Sequence, residues 1–551
     1  MPWLFTGTAI GFYDRFEFAW GSRVADQTVQ YDVIVAGCGP VGAMAANLLG
    51  RANLRTLVVE REREPNSQPR AVHIDHEIMR LFQNVGLSAE LLPLFRVGQG
   101  HIHIGADGGV IRYLGTAGLH NKFGWANDYF FYQPELEGVL RAGFARFPHV
   151  EARFGTSLTG IQQHETHVSA TLSDGGKVTA RHIIACDGAS SPTRKLLGVD
   201  LIDLDFDEPW LVVDAEMGGP IRFPGFSGVP AGADLQNLSV MLCDPKRPST
   251  IVPGRGHHRR WEFMLLPGET ESEMMRPERV NRLLEPWIAD APCRLIRAAT
   301  YRFHGLIAER WKVGQIFLAG DAAHQTPPFF GQGMCHGMRD VANLAWKMAL
   351  VRSGTAPAGL LETYQPERDP HVRAVVNAAI AAGKYICQLD PAAAKTRDEE
   401  LRKLLGKPRP ASASDLIPAI ASGIVKDHGE RFIQPTVGFA GRRMLMDDAT
   451  GGGFVLIGKS ASVFGALTDE TRKRWTALGG RTFVLDADSR FPQLQDIPQL
   501  QDLDGDLGQW LDAKATSAVL IRPDFYVFGT TATVREVEAL VRDLVHKIAP
   551  G

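Results

Sequence analysis

The stretch from Tyr31 to Glu62, YDVIVAGCGPVGAMAANLLGRANLRTLVVERE, limits most strongly what this chain can fold into. An apolar strand at 33–36 runs into a glycine-rich turn at 37–42, and a helix of small and apolar residues follows. A second strand at 57–59 then ends in an acid. This order of strand, glycines, helix, strand and acid is typical of a dinucleotide-binding βαβ unit. It predicts an α/β fold with a parallel sheet.

Each position of this motif has a physical role. The first glycine permits the tight turn, the second leaves room for a pyrophosphate, and the third lets helix and strand pack closely. The start of the helix offers free N–H groups and a positive dipole end to phosphates. The acid after the second strand stands at the distance expected of a group that binds ribose hydroxyls. The predicted cofactor contacts here are Gly37, Gly39, Pro40, Val41, Gly42, Glu60 and Arg61.

A second cofactor signature lies far downstream, in QIFLAGDAAHQTPPFFGQGMCHGMRDVANLAWK from Gln315 to Lys347. An apolar strand ends in Gly320-Asp321, and a Pro/Gly-rich loop leads into a helix with apolar spacing. The carboxylate can accept hydrogen bonds from sugar hydroxyls, and Pro327-Pro328 forms a rigid wall. Gly331 and Gly333 let the backbone approach a flat ring closely. The alternative is an ordinary strand-to-helix connection that happens to be rich in glycine.

The two signatures together favour FAD over NAD. An NAD-only dehydrogenase would not need the remote Gly320-Asp321 element, whereas the long FAD molecule requires a second contact site distant in sequence. No second GxGxxG followed by a helix is present. A nicotinamide cofactor would therefore bind transiently on the flavin domain.

Bulk composition excludes several classes of function. A net charge of −3 without any basic run gives no electrostatic case for nucleic acid. The six cysteines are scattered without a CxxC, which suits reduced thiols in a cytoplasmic protein and argues against a flavin disulfide reductase. No run of about 18 apolar residues exists, so no membrane span is expected. The sequence leaves open a homodimer.

The predicted fold is α/β, with a Rossmann-like FAD-binding domain, an inserted antiparallel β-sheet substrate domain and a C-terminal thioredoxin-like domain that lacks CxxC. For the last domain, a packing or dimerisation role is favoured over a redox role. The predicted boundaries are an N-terminal extension without an assigned role (1–30), a discontinuous FAD-binding domain (31–91, 129–204 and 301–390), the substrate sheet (92–128 and 205–300), a helical linker region (391–435) and the thioredoxin-like domain (436–551).

These motifs, together with Gln133 and the segment CDGASSPTR at 186–194, resemble the single-component FAD-dependent aromatic hydroxylases, also called class A flavoprotein monooxygenases. RRWEFMLLPGE and GMRDVANLAWK resemble the 3-(3-hydroxyphenyl)propionate hydroxylase branch. The resemblance covers approximately residues 30 to 550 and is much less specific for substrate than for FAD. It implies that NADH or NADPH reduces FAD and that a C4a-hydroperoxyflavin then hydroxylates a phenol ortho to its hydroxyl.

The resemblance also implies roles for individual residues. Arg70 would lie near the pyrophosphate or the nicotinamide, and Gln133 would contact the cofactor from the start of its helix. Asp187 and Gly188 would serve FAD and pyridine nucleotide together, with Arg194 supporting their turn. Asp321, beside Gly320, would bind the ribityl or ribose region. The predicted lining of the isoalloxazine is Pro328, Gly331, Gln332, Gly333 and Met334.

The catalytic residues are less constrained by the sequence. A phenolate is a better nucleophile than a phenol, so a proton acceptor near the substrate hydroxyl is expected, and His73 and Asp75 are the candidates. Asp75 is equally well placed to cap the helix that starts HEIMRLF.

The substrate pocket is predicted to include Trp261 and Phe263, which alternate on one strand face, together with Pro327. Core packing explains the two aromatic residues almost as well. His258, Arg259 or Arg260 could receive a substrate carboxylate, although solvation at the surface is the favoured fate of each. No metal site is predicted, because His324 and His336, which flank the predicted isoalloxazine contacts, have no partner His or Cys at metal-ligand spacing.

Several alternatives stay open at this stage. Arylpropionates, resorcinol-like phenols and polycyclic phenolics of secondary metabolism all fit the predicted pocket. A FAD-dependent reductase would share the fold without inserting oxygen, and a non-enzymatic flavin-binding protein would show no turnover. A flavin-dependent halogenase normally carries a WxWxIP-type segment, which this sequence lacks.

Overall fold

The computed structural model describes residues 29–549, with gaps at 66, 117, 289–290, 408–412, 428, 466 and 487–496. Most of the predicted N-terminal extension therefore lies outside the described residues. Within the described ranges, no helix combines the length and the apolar character needed to cross a bilayer.

A mainly parallel sheet, called the cofactor sheet, carries both predicted cofactor signatures. Its central strand is the apolar Tyr31–Ala36, which pairs in parallel with strands on both sides because it is buried on both faces. In spatial order the path is Lys312–Val313, Ile316–Leu318, Lys177–Ala185, Tyr31–Ala36, Thr56–Glu60 and Val150–Phe154, and the hairpin of Leu158–Gln163 and Val168–Leu172 extends from Lys177–Ala185.

Several helices pack on the cofactor sheet. Pro40–Arg51 follows the glycine turn, Gln133–Phe144 packs beside it, and Gly333–Ser353 follows the second signature. The last of these begins at Gly333, one turn earlier than the apolar spacing alone suggests. The short helix Pro192–Leu196 follows the Asp187-Gly188 turn.

A second eight-stranded sheet, called the substrate sheet, is antiparallel except for one parallel pair, Gly100–Ile104 with Ser239–Leu242. Its order is His324–Gln325, Cys293–Ala308, Leu201–Met217, His258–Met264, Ser249–Pro253, Ser239–Leu242, Gly100–Ile104 and Val110–Gly115. Its outer face packs on the helix Pro277–Ile288, and Glu271–Met274 precedes that helix. Its inner face meets the cofactor domain.

A three-stranded sheet joins the two domains. It consists of His73–Asp75, Asp128–Phe130 and Arg96–Val97, with Asp128–Phe130 in the middle. The helices His76–Asn84 and Ser88–Leu91 follow its first strand.

Two helices, Tyr364–Ile386 and Pro391–Arg402, lead to the C-terminal unit. Its four-stranded sheet has the order Arg481–Asp486, Val455–Ser460, Ala518–Ile521 and Val527–Thr531, in which only the first pair is parallel. A smaller sheet joins Arg442–Leu445, Thr436–Phe439 and Gln501–Asp502. The helices are Met446–Thr450, Asp469–Ala477, Asp506–Ala513 and Val537–Ile548. Short 3-10 turns occur at Leu92–Leu94, Gly320–Ala322, Pro328–Phe330, Ala358–Thr363, Ala413–Leu416, Ala461–Phe464 and Val534–Glu536.

One buried carboxylate ties the C-terminal unit to the cofactor domain. Glu367 accepts hydrogen bonds from Lys347 at 2.9 Å, Asn343 at 2.7 Å and Arg522 at 2.7 Å. Arg522 also pairs with Asp524 at 2.7 Å. We call these five residues the Glu367 cluster. Burial acts to raise the pKa of Glu367, but Arg522 and Lys347 outweigh it and the pKa is lowered.

Candidate functional site

The glycine turn is as tight as the sequence motif predicts. Gly37 has φ +95°, and a Cβ there would lie 2.5 Å from the Cys186 carbonyl oxygen. A Cβ on Gly42 would lie 2.0 Å from the Gly37 oxygen. A Cβ on Gly39, in contrast, would meet no atom within 4 Å, so this glycine borders open space at the start of the helix.

Glu60 is turned towards the glycine turn. Its carboxylate accepts hydrogen bonds from the backbone N–H of Cys38 at 2.6 Å and of Glu62 at 2.9 Å. The acid therefore lies at the edge of the space that Gly39 borders. Arg61 is exposed and contacts Glu62 at 3.4 Å.

The second signature lies against the first. Gly320 has φ +59°, and a Cβ on Gly337 would approach Val41 to 2.5 Å and the Gly320 Cα to 2.9 Å. The helix Gly333–Ser353 can approach Val41 and Gly320 this closely only because position 337 is glycine. Asp321 is reached by solvent, yet the protein around it desolvates the carboxylate and raises its pKa.

The Asp187-Gly188 turn is joined to the second signature through Arg194. This buried guanidinium donates to the carbonyl oxygens of Ala322 at 3.0 Å and Ala189 at 2.9 Å. Asp187 accepts hydrogen bonds from Ser191 and from the backbone N–H of Thr193, so its contacts are those of a turn residue.

Gln133 and Arg70 lie at the boundary between the domains. The Gln133 side-chain oxygen accepts from the backbone N–H groups of Arg70 at 2.8 Å and Ala71 at 2.7 Å, and its amide nitrogen donates to Glu137 at 2.7 Å. Gln133 thus shapes the loop that carries Arg70, which is itself exposed. Arg260 of the substrate sheet donates to the Arg70 carbonyl at 2.6 Å.

The loop from Pro327 to Met334, which is predicted to face the flavin ring and which we call the flavin loop, combines open backbone with a polar group that lacks a partner. Gly331 has φ +62°, and the Cβ position of Gly333 has no neighbour within 4 Å. Gln332 is fully buried, and its Nε2 has no hydrogen-bond partner among the residues that the structure describes. Pro327 is buried, whereas Pro328 and Met334 are half-buried at the loop surface.

Asp75 is fully engaged in structural contacts. Its carboxylate caps the following helix through the N–H groups of Glu77 at 3.1 Å and Ile78 at 3.3 Å, and its other oxygen accepts from Arg339. Arg339 also donates to Gln332 at 3.1 Å, which fixes the flavin loop. Burial acts to raise the pKa of Asp75, but Arg339 outweighs it and the pKa lies well below its usual value.

His73 lies directly under the flavin loop. Its Nε2 is 2.8 Å from Asp128 and its Nδ1 is 3.4 Å from the Gly331 carbonyl. Burial acts to lower the pKa of His73, but the hydrogen bond and charge of Asp128 outweigh it, so the pKa is raised. His101 packs nearby with a ring-centroid distance of 6.2 Å, and burial lowers its pKa to about 4.

His73, His101 and Asp128 also form the one group in the described residues whose ligand atoms could hold a metal, lying within 4.8 Å of one another. The hydrogen bond between His73 and Asp128 accounts for the short distance between those two side chains, whereas the ring nitrogens of His101 have no hydrogen-bond partner among the described residues.

The predicted substrate-pocket aromatics Trp261 and Phe263 belong to the outer face of the substrate sheet. They pack with Val280, Leu284 and Trp287 of the covering helix. The alternate residues of the same strand, including Arg260 and Met264, face the cofactor domain. Trp261 and Phe263 do share one face of the strand, but that face packs on the covering helix and not on the cofactor domain, so core packing is the role that the geometry supports.

The expectation that His258, Arg259 and Arg260 are solvated is wrong, since all three are buried. Arg260 binds Asp214 at 2.9 Å, His258 lies 3.1 Å from the same carboxylate, and Arg259 donates to Gln236 at 2.7 Å. Arg260 holds the loop of the cofactor domain and has no guanidinium nitrogen to spare for a ligand carboxylate.

The residues around both signatures fit FAD. The open space at Gly39 adjoins a helix start whose N–H groups lack a side-chain cap, which suits a pyrophosphate. Asp321 and Glu60 present acceptors for hydroxyl groups, and the orphaned Gln332 amide and open Gly333 backbone suit a flat polar ring system. The Glu60, Asp321 and glycine-loop positions were all visible in the sequence.

Other residues of the site were not expected from the sequence. His101 and His103 alternate with isoleucines in the strand GHIHI, a pattern that places both histidines on one face. Asp128 and Tyr385 had no comparable signal, because long-range pairing brings them to the site.

Comparisons with known proteins agree with this geometry. The chain matches the FAD binding domain family over residues 30–379 and the HcaD C-terminal domain family over residues 429–547.

Among curated relatives, it is 33% identical to a probable NADH-specific resorcinol 4-hydroxylase of Rhodococcus jostii, covering 94% of this chain and 95% of that one. It is also 33% identical to a 3-(3-hydroxy-phenyl)propionate/3-hydroxycinnamic acid hydroxylase of Burkholderia vietnamiensis, covering 93% and 95%. In fold it is similar to aklavinone-11 hydroxylase crystallised with FAD and aklavinone, with a TM-score of 0.72 at 22% identity, covering 94% and 99%. The chain therefore belongs to the FAD-binding-domain family, among the single-component FAD-dependent aromatic hydroxylases, which are flavoprotein monooxygenases.

Proposed function

We propose that this chain uses NAD(P)H and O2 to hydroxylate a phenolic substrate ortho to its existing hydroxyl. FAD, held by the residues of the two signatures, would supply the hydride acceptance and the O2 activation that this reaction requires. The observation that carries the proposal is the contact between the inner face of the substrate sheet and the flavin loop. The ring centroids of Trp210 and Phe329 lie 5.9 Å apart, and those of His101 and Phe330 lie 6.4 Å apart.

This contact supplies an apolar wall that excludes water. Trp210 is fully buried and stacks on Phe303 with a centroid distance of 5.3 Å and an interplanar angle of 12°. Phe329 meets both rings nearly at right angles. A rigid aromatic wall both orients a substrate ring and keeps water from the oxidising chemistry.

His73 is our candidate for the group that accepts the phenol proton. Its Nε2 lies 2.8 Å from Asp128, and its Nδ1 lies 3.4 Å from the Gly331 carbonyl oxygen, which can only accept a hydrogen bond. Nδ1 is therefore a proton acceptor only in the tautomer that carries its hydrogen on Nε2, with the substrate hydroxyl in place of the long contact to Gly331. Asp128 raises the pKa of His73 against the effect of burial, which stabilises the protonated imidazole that forms when the ring takes up a proton.

We assign Asp75 a positioning role rather than that of a base. Both of its oxygens are occupied, and its lowered pKa makes the carboxylate a weak proton acceptor. Through Arg339 it fixes Gln332 and hence the flavin loop.

For the electron donor we propose NADH, which the printed name of the Rhodococcus relative supports. The names of the relatives support two substrate classes, resorcinols and hydroxyphenylpropionates. A polycyclic phenolic is the alternative, since the aklavinone complex has the same fold.

The architectural assignments belong to this proposal as well. We propose that the substrate sheet is the inserted substrate-binding domain. The strand order and directions of the C-terminal four-stranded sheet support a thioredoxin-like unit, and its packing through the Glu367 cluster supports a structural role. The other predicted boundaries, a homodimer and a cytoplasmic location remain part of the proposal.

The deciding experiment is a panel of phenols assayed with the FAD-loaded protein and NADH. We expect one class of phenol to stimulate both NADH oxidation and O2 uptake, and mass spectrometry to show a product with one added oxygen atom. NADH oxidation without oxygen insertion for every phenol would instead identify a reductase. Bound FAD without any turnover would identify a flavin-binding protein that is not an enzyme.

A further inference from the structure

Arg112, Tyr385 and His103 form a hydrogen-bonded chain on the inner face of the substrate sheet. Arg112 Nη1 donates to the Tyr385 hydroxyl oxygen at 3.2 Å, and this oxygen lies 2.8 Å from His103 Nδ1. His103 and Arg112 are direct partners on neighbouring antiparallel strands. Their side chains therefore project from the same face of the sheet.

The direction of each hydrogen bond follows from the donors available. A guanidinium only donates, so the Tyr385 oxygen accepts from Arg112. Among the described residues, the hydroxyl hydrogen of Tyr385 has no acceptor other than His103 Nδ1, so we assign Tyr385 as the donor of that hydrogen bond. Because Nδ1 accepts this hydrogen bond, the neutral His103 ring carries its proton on Nε2. Burial lowers the pKa of His103, which favours that neutral form. His103 is fully buried, and this Nε2–H has no partner among the described residues. The buried Nε–H of Arg112 has none either.

The positive charge of Arg112 is also uncompensated. Across the described ranges, no carboxylate forms an ion pair with Arg112. The nearby Arg397 is neutralised by Asp398 at 2.7 Å and so does not change the local balance. Half-buried charge and buried donors without partners are unfavourable unless a ligand satisfies them. A carboxylate supplies both the negative charge and the acceptor oxygens.

The chain lies within reach of the flavin loop. His101 precedes His103 by two residues on the same strand and therefore projects from the same face, and its ring meets Phe330. A two-residue step along a strand is about 7 Å, which is comparable to the length of a short carboxyalkyl substituent on a phenol ring.

We propose that Arg112, Tyr385 and His103 bind the carboxylate of the substrate and thereby select phenols that carry a short acidic side chain. This inference rests on the proposed function, since it identifies the class of phenol that the same site accepts.

The test compares an acidic with a neutral substrate, 3-(3-hydroxyphenyl)propionate and 3-ethylphenol, in the FAD-loaded wild type, Arg112→Gln and Tyr385→Phe. Binding is measured by the change in flavin absorbance, and turnover by KM and kcat. We expect Arg112→Gln to raise Kd and KM for the acid by about 10- to 100-fold, as for a lost charge-assisted hydrogen bond, with no change for 3-ethylphenol. Tyr385→Phe should raise them by a smaller factor.

Arg302→Gln is the matched control, because Arg302 lies on the same sheet in an exposed ion pair with Asp207 and should affect neither substrate. Equal effects of Arg112→Gln on both substrates, or no effect on the acid, would overturn the proposal. Should Arg112→Gln not retain FAD, Tyr385→Phe decides by the same criterion. If wild type hydroxylates 3-ethylphenol with no preference for the acid, only the carboxylate site fails; if no phenol is hydroxylated, the proposed function itself fails.

Discussion

Replacement of Gly39 by valine should separate cofactor binding from folding. Gly39 has φ −69° and ψ −174°, an extended conformation that any residue adopts, and a Cβ there meets no atom within 4 Å. We therefore expect the free energy of unfolding of the apoprotein to change by no more than about 0.5 kcal/mol. The new side chain fills the space that a pyrophosphate needs. Loss of two charge-assisted backbone hydrogen bonds, each about 1.5–3 kcal/mol, would weaken FAD binding by roughly 10²- to 10⁴-fold.

Gly42→Ala provides the contrast, since its Cβ would lie 2.0 Å from the Gly37 oxygen. The backbone must shift to relieve this contact, and overpacking of this kind costs about 1–3 kcal/mol. The assay combines the flavin-to-protein absorbance ratio after desalting with denaturant unfolding of both apoproteins. Full flavin retention by Gly39→Val would refute the predicted contact with the pyrophosphate. A Gly39→Val apoprotein as unstable as the Gly42→Ala apoprotein would refute the separation of cofactor binding from folding.

Three further substitutions test other contacts. Arg194→Gln should weaken flavin retention indirectly, because it removes the two hydrogen bonds that Arg194 donates to the Ala322 and Ala189 carbonyl oxygens. Unchanged flavin retention would contradict this prediction. Glu367→Gln should destabilise the protein by about 3–5 kcal/mol in denaturant unfolding, as for a broken buried ion pair, and a loss below about 1 kcal/mol would contradict it. Burial raises the pKa of Glu262 from 4.5 to about 7, so the stability of the wild type should fall as pH rises through this window. Glu262→Gln should therefore be more stable than wild type above pH 7, by up to about 3 kcal/mol, and not below about pH 4; equal stability at both pH values would count against this.

Local sequence patterns were enough to predict residues for the cofactor half of the site. The order of strand, glycines, helix and acid is a short-range pattern, and each glycine has a steric reason that is visible one residue at a time. The family resemblance predicted from such motifs is confirmed, as is FAD as the cofactor. The individual site residues stay predictions until they are tested by substitution.

The substrate pocket was harder to predict from the sequence, because its residues depend on which face of the substrate sheet meets the cofactor domain. Alternation shows that Trp261 and Phe263 share a face, but it does not say whether that face meets the cofactor or a covering helix. Both side chains pack on the covering helix Pro277–Ile288, because the apolar residues of that helix must also be buried. Likewise, Asp128 reaches His73 only through strand pairing across 55 positions, which no local pattern encodes.

The Glu367 cluster has a consequence for engineering this chain. A truncated protein that ends before Arg522 would lose one of the two cations that bind Glu367. The other cation, Lys347, belongs to the helix Gly333–Ser353, which starts at the flavin loop. The C-terminal unit is therefore structurally coupled to the cofactor domain, and we do not expect it to be removable without loss of stability in that domain. Chimeras that exchange the C-terminal unit between related hydroxylases should remain soluble and retain FAD only when the incoming segment supplies an arginine that pairs with Glu367.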